Sequence, residues 1–355
     1  MTNSVAAPVG AETPAAPALL TAYSGRTPDR LPIWFMRQAG RSLPEYKEVR
    51  AGTEMLDACL TPDLAAEITC QPVRRHGVDA AILFSDIVVP LRLAGVEVEI
   101  VPGTGPVIAE PVRTRADVAR LTAHEPGDHA PIAAAVRAVT EELGTGERPG
   151  DTPLIGFGGA PFTLAAYLVE GRPSRDHLAA RALMHADPKA WDELLTWTAD
   201  LTGAFLAAQV DAGVRAVQLF DSWAGSLSVD DYTERAAPYS ARALDHVAGR
   251  VPRVSFGTGT SELLTVMAGH AEVVGVDHRI RLDVANDRLG GRVPLQGNID
   301  PALLTAPWEV LERHVRAVVE AGRAAPAHVV NLGHGVPPTT DPGVLTRVVE
   351  LVHSL

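Results

Sequence analysis

Cysteine and lysine are the residue types that this chain uses least. Its 355 residues include two cysteines, Cys59 and Cys70, and two lysines, Lys47 and Lys189. Two cysteines cannot supply the disulfide framework of a secreted protein of this length. We therefore interpret both as small, buried or half-buried residues, and arginine must supply nearly all of the positive charge.

Excess positive charge is also absent, because the formal net charge at pH 7 is -12. A nucleic-acid-binding protein needs a basic face that neutralises phosphates, so we expect no nucleic-acid partner. An anionic ligand would be repelled by the overall field of this protein. Such a ligand must be held by a local cluster of arginines.

Long apolar runs are missing as well. No stretch of about 18 apolar residues is present, so no membrane-spanning helix is predicted. The first residues lack the positive start and the continuous apolar core of a secretory signal. Residues 1–18 are rich in Ala, Pro and Thr, and we predict that they form a disordered tail. We expect a cytoplasmic protein without a membrane partner.

Residues 19–355 alternate short apolar runs with helical segments, and 46% of all residues are hydrophobic, which is enough for a large core. Short strands separated by helices are typical of parallel βα units. We predict an α/β protein with a single (β/α)8 TIM-type barrel. An open, doubly wound sheet is the alternative, because periodicity does not distinguish the two. The predicted strands are 32–36, 80–84, 153–157, 215–220, 253–256, 272–276, 292–296 and 328–332.

One segment interrupts this alternation. Residues 95–110 read GVEVEIVPGTGPVIAE, with alternating apolar residues on either side of a PGTG turn. This pattern predicts a small β-hairpin inserted after the second strand.

The active site of a βα barrel forms from the loops that follow the strands. Arg37 and Arg41 follow the first predicted strand, and two planar guanidinium groups there can bind carboxylates bidentately. Asp86 follows the second strand. It either caps the next segment or, at a barrel mouth, accepts N–H groups of a ligand and stabilises positive charge.

Three further candidates lie after later strands. Tyr167 lies in a helix opened by Ala160-Pro161, and core packing is its alternative role. Ser222 follows the fourth strand, where capping is the alternative. His334 stands between two glycines, which allow close approach of a ligand to the backbone, and its side chain titrates near neutral pH. Together these side chains suit a polyanionic ligand.

Five segments in these regions resemble the uroporphyrinogen decarboxylase family, in the order that the family has them. The resemblance extends from about residue 20 to the C-terminus, and the RQAGR core of the first segment is the family's hallmark. The segments are PIWFMRQAGRSLPEY (32–46), GFGGAPFTLAAYLVEG (156–171), FDSWAGSLS (220–228), QGNIDP (296–301) and NLGHGVPPTTDP (331–342).

The resemblance implies a (β/α)8 barrel, a homodimer and an enzyme without a metal or organic cofactor. It implies that the substrate is uroporphyrinogen III and that the four acetate side chains become methyl groups. The products would be coproporphyrinogen III and four CO2, in heme biosynthesis.

The resemblance also implies a role for each matched residue. Arg37 and Arg41 would bind carboxylates, and Asp86 would accept the pyrrole N–H groups. Arg37 would also be the general acid, although a guanidinium with a pKa above about 12 is a poor proton donor and a relayed water is the competing donor. Tyr167, Ser222 and His334 would line the cleft and contact the substrate's carboxylates. Phe220 would form an apolar wall beside the macrocycle.

The sequence departs from the family pattern at two places. Ser42 stands where an aromatic residue is common, and Val276-Asp277-His278 replaces a segment of the Gly-Leu-Asp-Trp type. Neither position carries the expected acid or the arginines, so the departures concern only contacts near His278.

Three other functions remain as hypotheses. A zinc-dependent methyltransferase that serves corrinoid proteins needs a His and well-separated thiolates, whereas no cysteine follows Cys70. A non-catalytic tetrapyrrole-binding protein would need the arginines but not the fixed anion at Asp86. A phosphate-binding barrel would rest only on the glycines of GFGGAP, which no GK[ST] motif follows.

Overall fold

Parallel strands form the centre of the structure, a computed structural model that describes residues 16–40, 42–148 and 150–355. Arg41 and residues 1–15 of the predicted tail lie outside the described residues. In chain order the strands are β1 (Ala81–Ile82), β2 (Val98–Val101), β3 (Gly105–Ile108), β4 (Leu154–Gly159), β5 (Ala216–Asp221), β6 (Arg253–Gly257), β7 (Val273–Gly275), β8 (Leu295–Ile299) and β9 (His328–Leu332).

The main sheet is curled and parallel, in the order β1-β4-β5-β6-β7-β8-β9. Ile33 forms a parallel bridge with Val330 of β9. The carbonyl oxygen of Ile33 accepts a hydrogen bond of 2.8 Å from the N–H of Asp79, just before β1. The segment around Ile33 therefore occupies the eighth position, between the two edge strands. The predicted α/β barrel is confirmed, and the open doubly wound sheet is wrong.

The predicted first strand, 32–36, is shorter than expected because side chains take its backbone donors. The N–H of Phe35 donates to Oε1 of Gln38 over 2.9 Å, and the N–H of Met36 donates to Oδ1 of Asn331 over 3.0 Å. Regular strand pairing therefore stops after the bridge at Ile33. The same bonds fix the start of the loop that carries Arg37.

The predicted hairpin is confirmed. Strands β2 and β3 pair antiparallel, with Val98 opposite Ile108 and Val101 opposite Gly105. The hairpin is attached to the end of the helix that follows β4, because the N–H of Ile108 donates to the carbonyl oxygen of Gly171 over 2.8 Å.

Helices surround the barrel, and several begin with proline at the first turn, where a missing N–H costs nothing. The N–H of Ala190 donates to Oδ1 of Asp187 at the start of the longest one, which the sequence predicted at Asp187-Pro188. The helices are α1 (Ala18–Tyr23), α2 (Pro44–Val49), α3 (Met55–Cys59), α4 (Pro62–His76), α5 (Val89–Leu93), α6 (Arg115–Leu121), α7 (Ala130–Leu143), α8 (Pro161–Glu170), α9 (Leu178–Ala186), α10 (Pro188–Ala212), α11 (Val229–Arg235), α12 (Ala237–Asp245), α13 (Leu264–Met267), α14 (Leu282–Arg288), α15 (Trp308–Gly322) and α16 (Pro342–His353), with short 3-10 turns at Ala224–Ser226 and Pro301–Thr305. Within the described ranges, no helix combines the length and the apolarity needed to cross a membrane.

The inside of the barrel carries a buried polar network. Gln296 of β8 donates to Oε1 of Gln218 on β5 over 2.8 Å. The hydroxyl of Tyr23 and the indole N–H of Trp34 both donate to Oε1 of Gln296. The network joins helix α1 and residues 32–36, the first segment, to strands β5 and β8. Both buried glutamine amides have hydrogen-bond partners, so the network leaves no donor among these side chains unpaired.

Asp79 joins three parts of the chain next to the point where the ring closes. Its buried carboxylate accepts the N–H of Ile33 over 2.8 Å and lies 2.7 Å from Nε2 of His353 on α16. Arg30 pairs with the same carboxylate. The first segment, the residue before β1 and the last helix are thereby held together.

Candidate active site

Arg37 leaves the first segment in a left-handed backbone conformation, with φ of 62°. Its neighbours hold it there: the carbonyl oxygen of Met36 accepts the N–H of Val336 over 2.8 Å, and the buried amide of Gln38 donates to the carbonyl oxygen of Ala80 over 2.9 Å. Because Met36 and Gln38 are buried and bonded, the Arg37 side chain is turned outward and exposed at the mouth. A left-handed arginine costs about 1 kcal/mol or more, which is typical of functional loops.

Glycine at position 335 makes room for that side chain. A methyl group at Gly335 would lie 2.4 Å from Cδ of Arg37 and 2.7 Å from its Cγ. The aliphatic part of Arg37 therefore lies directly against the backbone of the loop after β9, beside His334. The sequence predicted close approach of a ligand at the flanking glycines, and at Gly335 the group that approaches is the side chain of Arg37.

Asp86 follows β1 and is half-buried at the mouth. Its Oδ1 accepts the N–H of Val88 over 3.1 Å, so the capping role that the sequence left open is present as a local turn. Desolvation by the surrounding protein raises the pKa of Asp86, while the N–H groups of Val88 and Ile87 and the charge of Arg37 oppose that rise. The carboxyl is thus an oriented acceptor that still faces the cleft.

His334 is surrounded by positive groups. His334 is exposed, but the protein around its ring partly removes it from water and so lowers its pKa from the usual 6.5, and the charges of Arg37, His278 and Arg279 lower the pKa further. The backbone at Gly333 lies close against that of His278, where a methyl group would come within 2.2 Å of the backbone nitrogen of His278. The imidazole of His334 therefore favours its neutral form, which can donate one hydrogen bond.

The segment that departs from the family pattern is held rigidly. Oδ2 of Asp277 accepts the N–H of Gly259 over 2.5 Å and pairs with Arg279 over 2.7 Å. The amide of Asn298 donates to the carbonyl oxygens of Asp277 and Ile280 over 2.8 and 2.6 Å. His278 is therefore presented next to the loop of His334 by a fixed turn.

Aromatic rings form a wall at the upper end of neighbouring strands. Phe220 of β5 meets Phe157 of β4 edge-on, with ring centroids 5.4 Å apart. It meets Phe256 of β6 in the same way at 5.9 Å. Phe220 is half-buried, whereas the other two rings are buried. The sequence singled out Phe220 but not its two partners, which lie on the neighbouring strands.

Trp223, which follows Ser222 in the chain, packs against Tyr167. The ring of Tyr167 on α8 lies 3.9 Å from that of Trp223, with 32° between the planes. The other neighbour of Trp223 is His177, with centroids 4.3 Å apart. Burial raises the pKa of Tyr167, Asp86 adds to the rise and Arg37 opposes it, so this hydroxyl lies within the same electrostatic environment. His177 could not be predicted from the sequence, because its left-handed conformation, with φ of 49°, has no sequence signal.

The described candidates therefore lie around one mouth, and Arg37 acts electrostatically on Asp86, Tyr167 and His334. Arg41 lies outside the described residues. A surface cavity of about 600 Å³ lies between α2 and the loop after β9. It is lined mostly by the end of α2 and the residues after it, including Lys47 and Arg50, and reaches Pro338 in the loop after β9.

The residues that a zinc site requires are not gathered in the described part of the chain. Cys59 and Cys70 are free and buried, as the sequence predicted, and burial raises the pKa of both thiols. Within the same ranges, no three His, Cys, Asp or Glu side chains are grouped to hold a metal ion. The methyltransferase hypothesis therefore gains no support from the site.

Solved structures share the fold at low sequence identity. A methyltransferase from Methanosarcina mazei matches with a TM-score of 0.78 and 20% identity over 95% of this chain and 97% of that one. A B12-independent methionine synthase from Shewanella sp. W3-18-1 matches with a TM-score of 0.52 and 11% identity over 82% and 87%. At such identities the likeness concerns the fold alone.

Curated relatives are far more similar in sequence. A uroporphyrinogen decarboxylase from Arthrobacter sp. (strain FB24) is 65% identical over 95% of this chain and 96% of its own. Those from Leifsonia xyli and Mycolicibacterium smegmatis are 61% and 56% identical, over 98% and 97% of this chain and 96% and 99% of theirs. The family model described as Uroporphyrinogen decarboxylase (URO-D) matches residues 15–355. The chain therefore belongs to the uroporphyrinogen decarboxylase family.

Proposed function

We propose that this protein converts uroporphyrinogen III to coproporphyrinogen III and four CO2 in heme and porphyrin biosynthesis. The observation that carries the proposal is the half-buried carboxylate of Asp86 at a mouth that also holds Arg37 and His334. Membership of the family supports the same substrate. A polycarboxylate needs local positive charge in a protein whose net charge is -12, and the mouth provides it.

Each decarboxylation replaces a carboxylate by a proton. Protonation of a pyrrole ring makes that ring a cationic electron sink, CO2 leaves, the exocyclic carbon then takes a proton, and the ring finally loses the proton that it first gained. The intermediate that is hardest to form is a cation inside the cleft. A fixed anion at Asp86 stabilises it, because an oriented charge needs no reorganisation as positive charge develops.

The other residues bind and position the substrate in this proposal. Arg37 and Arg41 bind carboxylates, and Arg37 is also the proton donor. The neutral imidazole of His334, Tyr167 and Ser222 contact further carboxylates. Phe220, with the rings beside it, forms the apolar wall against the macrocycle. Asp86 orients the pyrrole N–H groups and stabilises the cation, and Arg37 donates the proton. These two are therefore the catalytic residues.

We also propose that residues 19–355 act as one catalytic domain after a tail at 1–18, without a metal or organic cofactor, in the cytoplasm. A homodimer is supported by exposed apolar side chains on neighbouring helices: Leu178 on α9 and Val229 on α11 are 67% and 43% exposed. Nε2 of His185 on α9 lies 3.4 Å from Oδ1 of Asp231 on α11, and this contact joins the two helices. Light scattering should give twice the mass of the chain, and Leu178→Asp should lower it.

The function is tested by an anaerobic assay with enzymatically generated uroporphyrinogen III. Oxidised products are separated by their number of carboxyl groups, with and without a metal chelator. We expect a series of products that carry from eight down to four carboxyl groups, and we expect the chelator not to change it. Inhibition by the chelator would contradict the cofactor-free reaction. Binding of the tetrapyrrole by folded protein without any series would favour the non-catalytic binding protein.

A further inference from the structure

A buried relay of polar groups lies behind the loop that carries Ser222 and Trp223. The hydroxyl of Thr163 on α8 donates to Oδ1 of Asp221 over 2.8 Å. The same hydroxyl accepts the backbone N–H of Trp223 over 3.3 Å. Because a threonine hydroxyl has one proton, its bond to Asp221 turns its lone pairs toward Trp223.

The peptide unit between Ser222 and Trp223 is held from both sides. Its N–H is bound by Thr163, and its carbonyl oxygen accepts the hydroxyl of Thr258 over 2.6 Å. This one peptide connects two side chains of the mouth, so its orientation sets the direction of both. A free peptide at the end of a strand would rotate more readily.

Helix α8 makes two separate contacts with the same loop. Thr163 and Tyr167 are four residues apart and therefore lie on one face of the helix. Thr163 binds the backbone of Trp223, while Tyr167 stacks on its ring at 3.9 Å. The relay thus fixes the loop relative to Tyr167.

The burial of Asp221 costs free energy that the burial of an apolar core residue would not cost. Its side chain is 1% exposed, and Oδ2 has no hydrogen-bond partner among the described residues. Burial raises the pKa of Asp221 to about 7, with only the Thr163 bond opposing it. A costly buried group that persists beside a functional loop is typical of a site whose geometry matters.

We propose that Asp221 and Thr163 are positioning residues of the active site, which orient the Ser222–Trp223 peptide and thereby Tyr167 and Ser222 toward the substrate. The inference rests on the proposed function. Neither residue touches the substrate; both act through Trp223.

The test compares three threonine variants of the full chain. Thr163→Val removes the relay at constant shape, Thr163→Ser keeps the hydroxyl, and Thr198→Val is the matched control. Thr198 is equally buried, but its hydroxyl bonds backbone carbonyl oxygens away from the Trp223 loop: those of Leu194 and Leu195 in its own helix over 3.1 Å each, and that of Pro161 at the start of α8 over 3.4 Å. Turnover per folded protein is measured with uroporphyrinogen III, and near-ultraviolet circular dichroism is measured without substrate.

Thr163→Val should lower kcat/KM about tenfold, because an unsatisfied buried N–H allows the loop to leave its productive orientation. Products with seven, six and five carboxyls should accumulate, and Thr163→Ser and Thr198→Val should stay within about twofold of wild type. The dichroism change of Thr163→Val should resemble that of Trp223→Phe. If Thr163→Val does not fold, Thr163→Ala takes its place with the same expected result.

Equal kcat/KM and equal dichroism for Thr163→Val and Thr198→Val would overturn the inference. If the wild type shows no turnover, the proposed function fails. The dichroism comparison then still decides whether Thr163 orients Trp223.

Discussion

Arg37 shows how single residues make the mouth. Its left-handed backbone is imposed by bonds at Met36 and Gln38, and its side chain lies on the bare backbone of Gly335. Asp86, in turn, is oriented by its own turn. Each of these side chains is thus fixed by neighbours that do no chemistry.

Gly335→Ala should displace Arg37 without unfolding the protein. The new methyl group would overlap Cδ of a flexible, exposed side chain, and Gly335 does not need a positive φ. We expect kcat/KM to fall about tenfold, with a stability loss below about 1 kcal/mol. Gly343→Ala on α16, where the methyl would lie 3.3 Å from Oδ1 of Asp341, is the control for activity. An unchanged kcat/KM for Gly335→Ala would show that the contact between Gly335 and Arg37 does not contribute to activity.

Strand ends and helix α8 determine the arrangement at the scale of elements. β5 ends at Asp221, which faces α8, and the next two residues pass into the mouth. Strands β4, β5 and β6 each contribute one ring to the aromatic wall. The site therefore combines residues from several elements, and within one element residues with different roles are only one or two positions apart in the sequence.

Asp221→Asn should change the dependence of stability on pH. The pKa of Asp221 is about 7 in the folded protein, against a usual value of 3.8. Between these values the folded state holds a proton that the unfolded state has lost, so this group lowers stability as pH rises, and the full loss is present above about pH 7. Asn has no such cost and still accepts the bond from Thr163.

Urea unfolding between pH 5 and 8 checks this expectation. Asp221→Asn should gain stability relative to wild type with rising pH, by more than about 1 kcal/mol at pH 8. The exposed Asp63→Asn serves as control and should show no such trend. A constant difference across the range would contradict a raised pKa at Asp221.

At the scale of the whole molecule, the ring is closed by a short segment and by Asp79. The carboxylate of Asp79 holds the N–H of Ile33 and the side chains of His353 and Arg30. The first segment, β1 and the last helix are far apart in sequence, so this one group substitutes for a regular strand pairing at the closure.

Asp79→Ala should lower the free energy of unfolding by about 3 kcal/mol, because it leaves the buried N–H of Ile33 and the side chains of Arg30 and His353 without an acceptor. Denaturant titration measures this change. Asp283→Ala removes an exposed carboxylate paired with Arg281 and should cost less than about 1 kcal/mol. Similar losses for the two variants would show that Asp79 does not hold the closure.

Much of this fold could be predicted from the sequence, because apolar runs and loop residues report local preferences. β9 coincides with the predicted 328–332, whereas β8 begins three residues later than predicted, at Leu295. The first strand was overpredicted because its donors at Phe35 and Met36 are taken by the side chains of Gln38 and Asn331, which pattern analysis does not detect. Periodicity also could not decide that the sheet closes.

The candidate site divides in the same way. Residues directly after strands, such as Asp86 and Ser222, could be placed at the mouth from topology and the family segments. The stack of Trp223 between Tyr167 and His177 could not, because it depends on tertiary contacts and on a left-handed His177. The buried relay through Asp221 was missed for the same reason.

In the proposed mechanism, a fixed anion at Asp86 stabilises the cation formed in each decarboxylation. Asp86→Asn keeps the shape of the side chain and an acceptor oxygen but removes the charge. Anaerobic turnover of uroporphyrinogen III by Asp86→Asn, with Asp63→Asn as control and circular dichroism to verify folding, is the most direct test. We expect kcat to fall at least about 100-fold with the fold intact. A folded Asp86→Asn protein that turns over at the wild-type rate would contradict the claim.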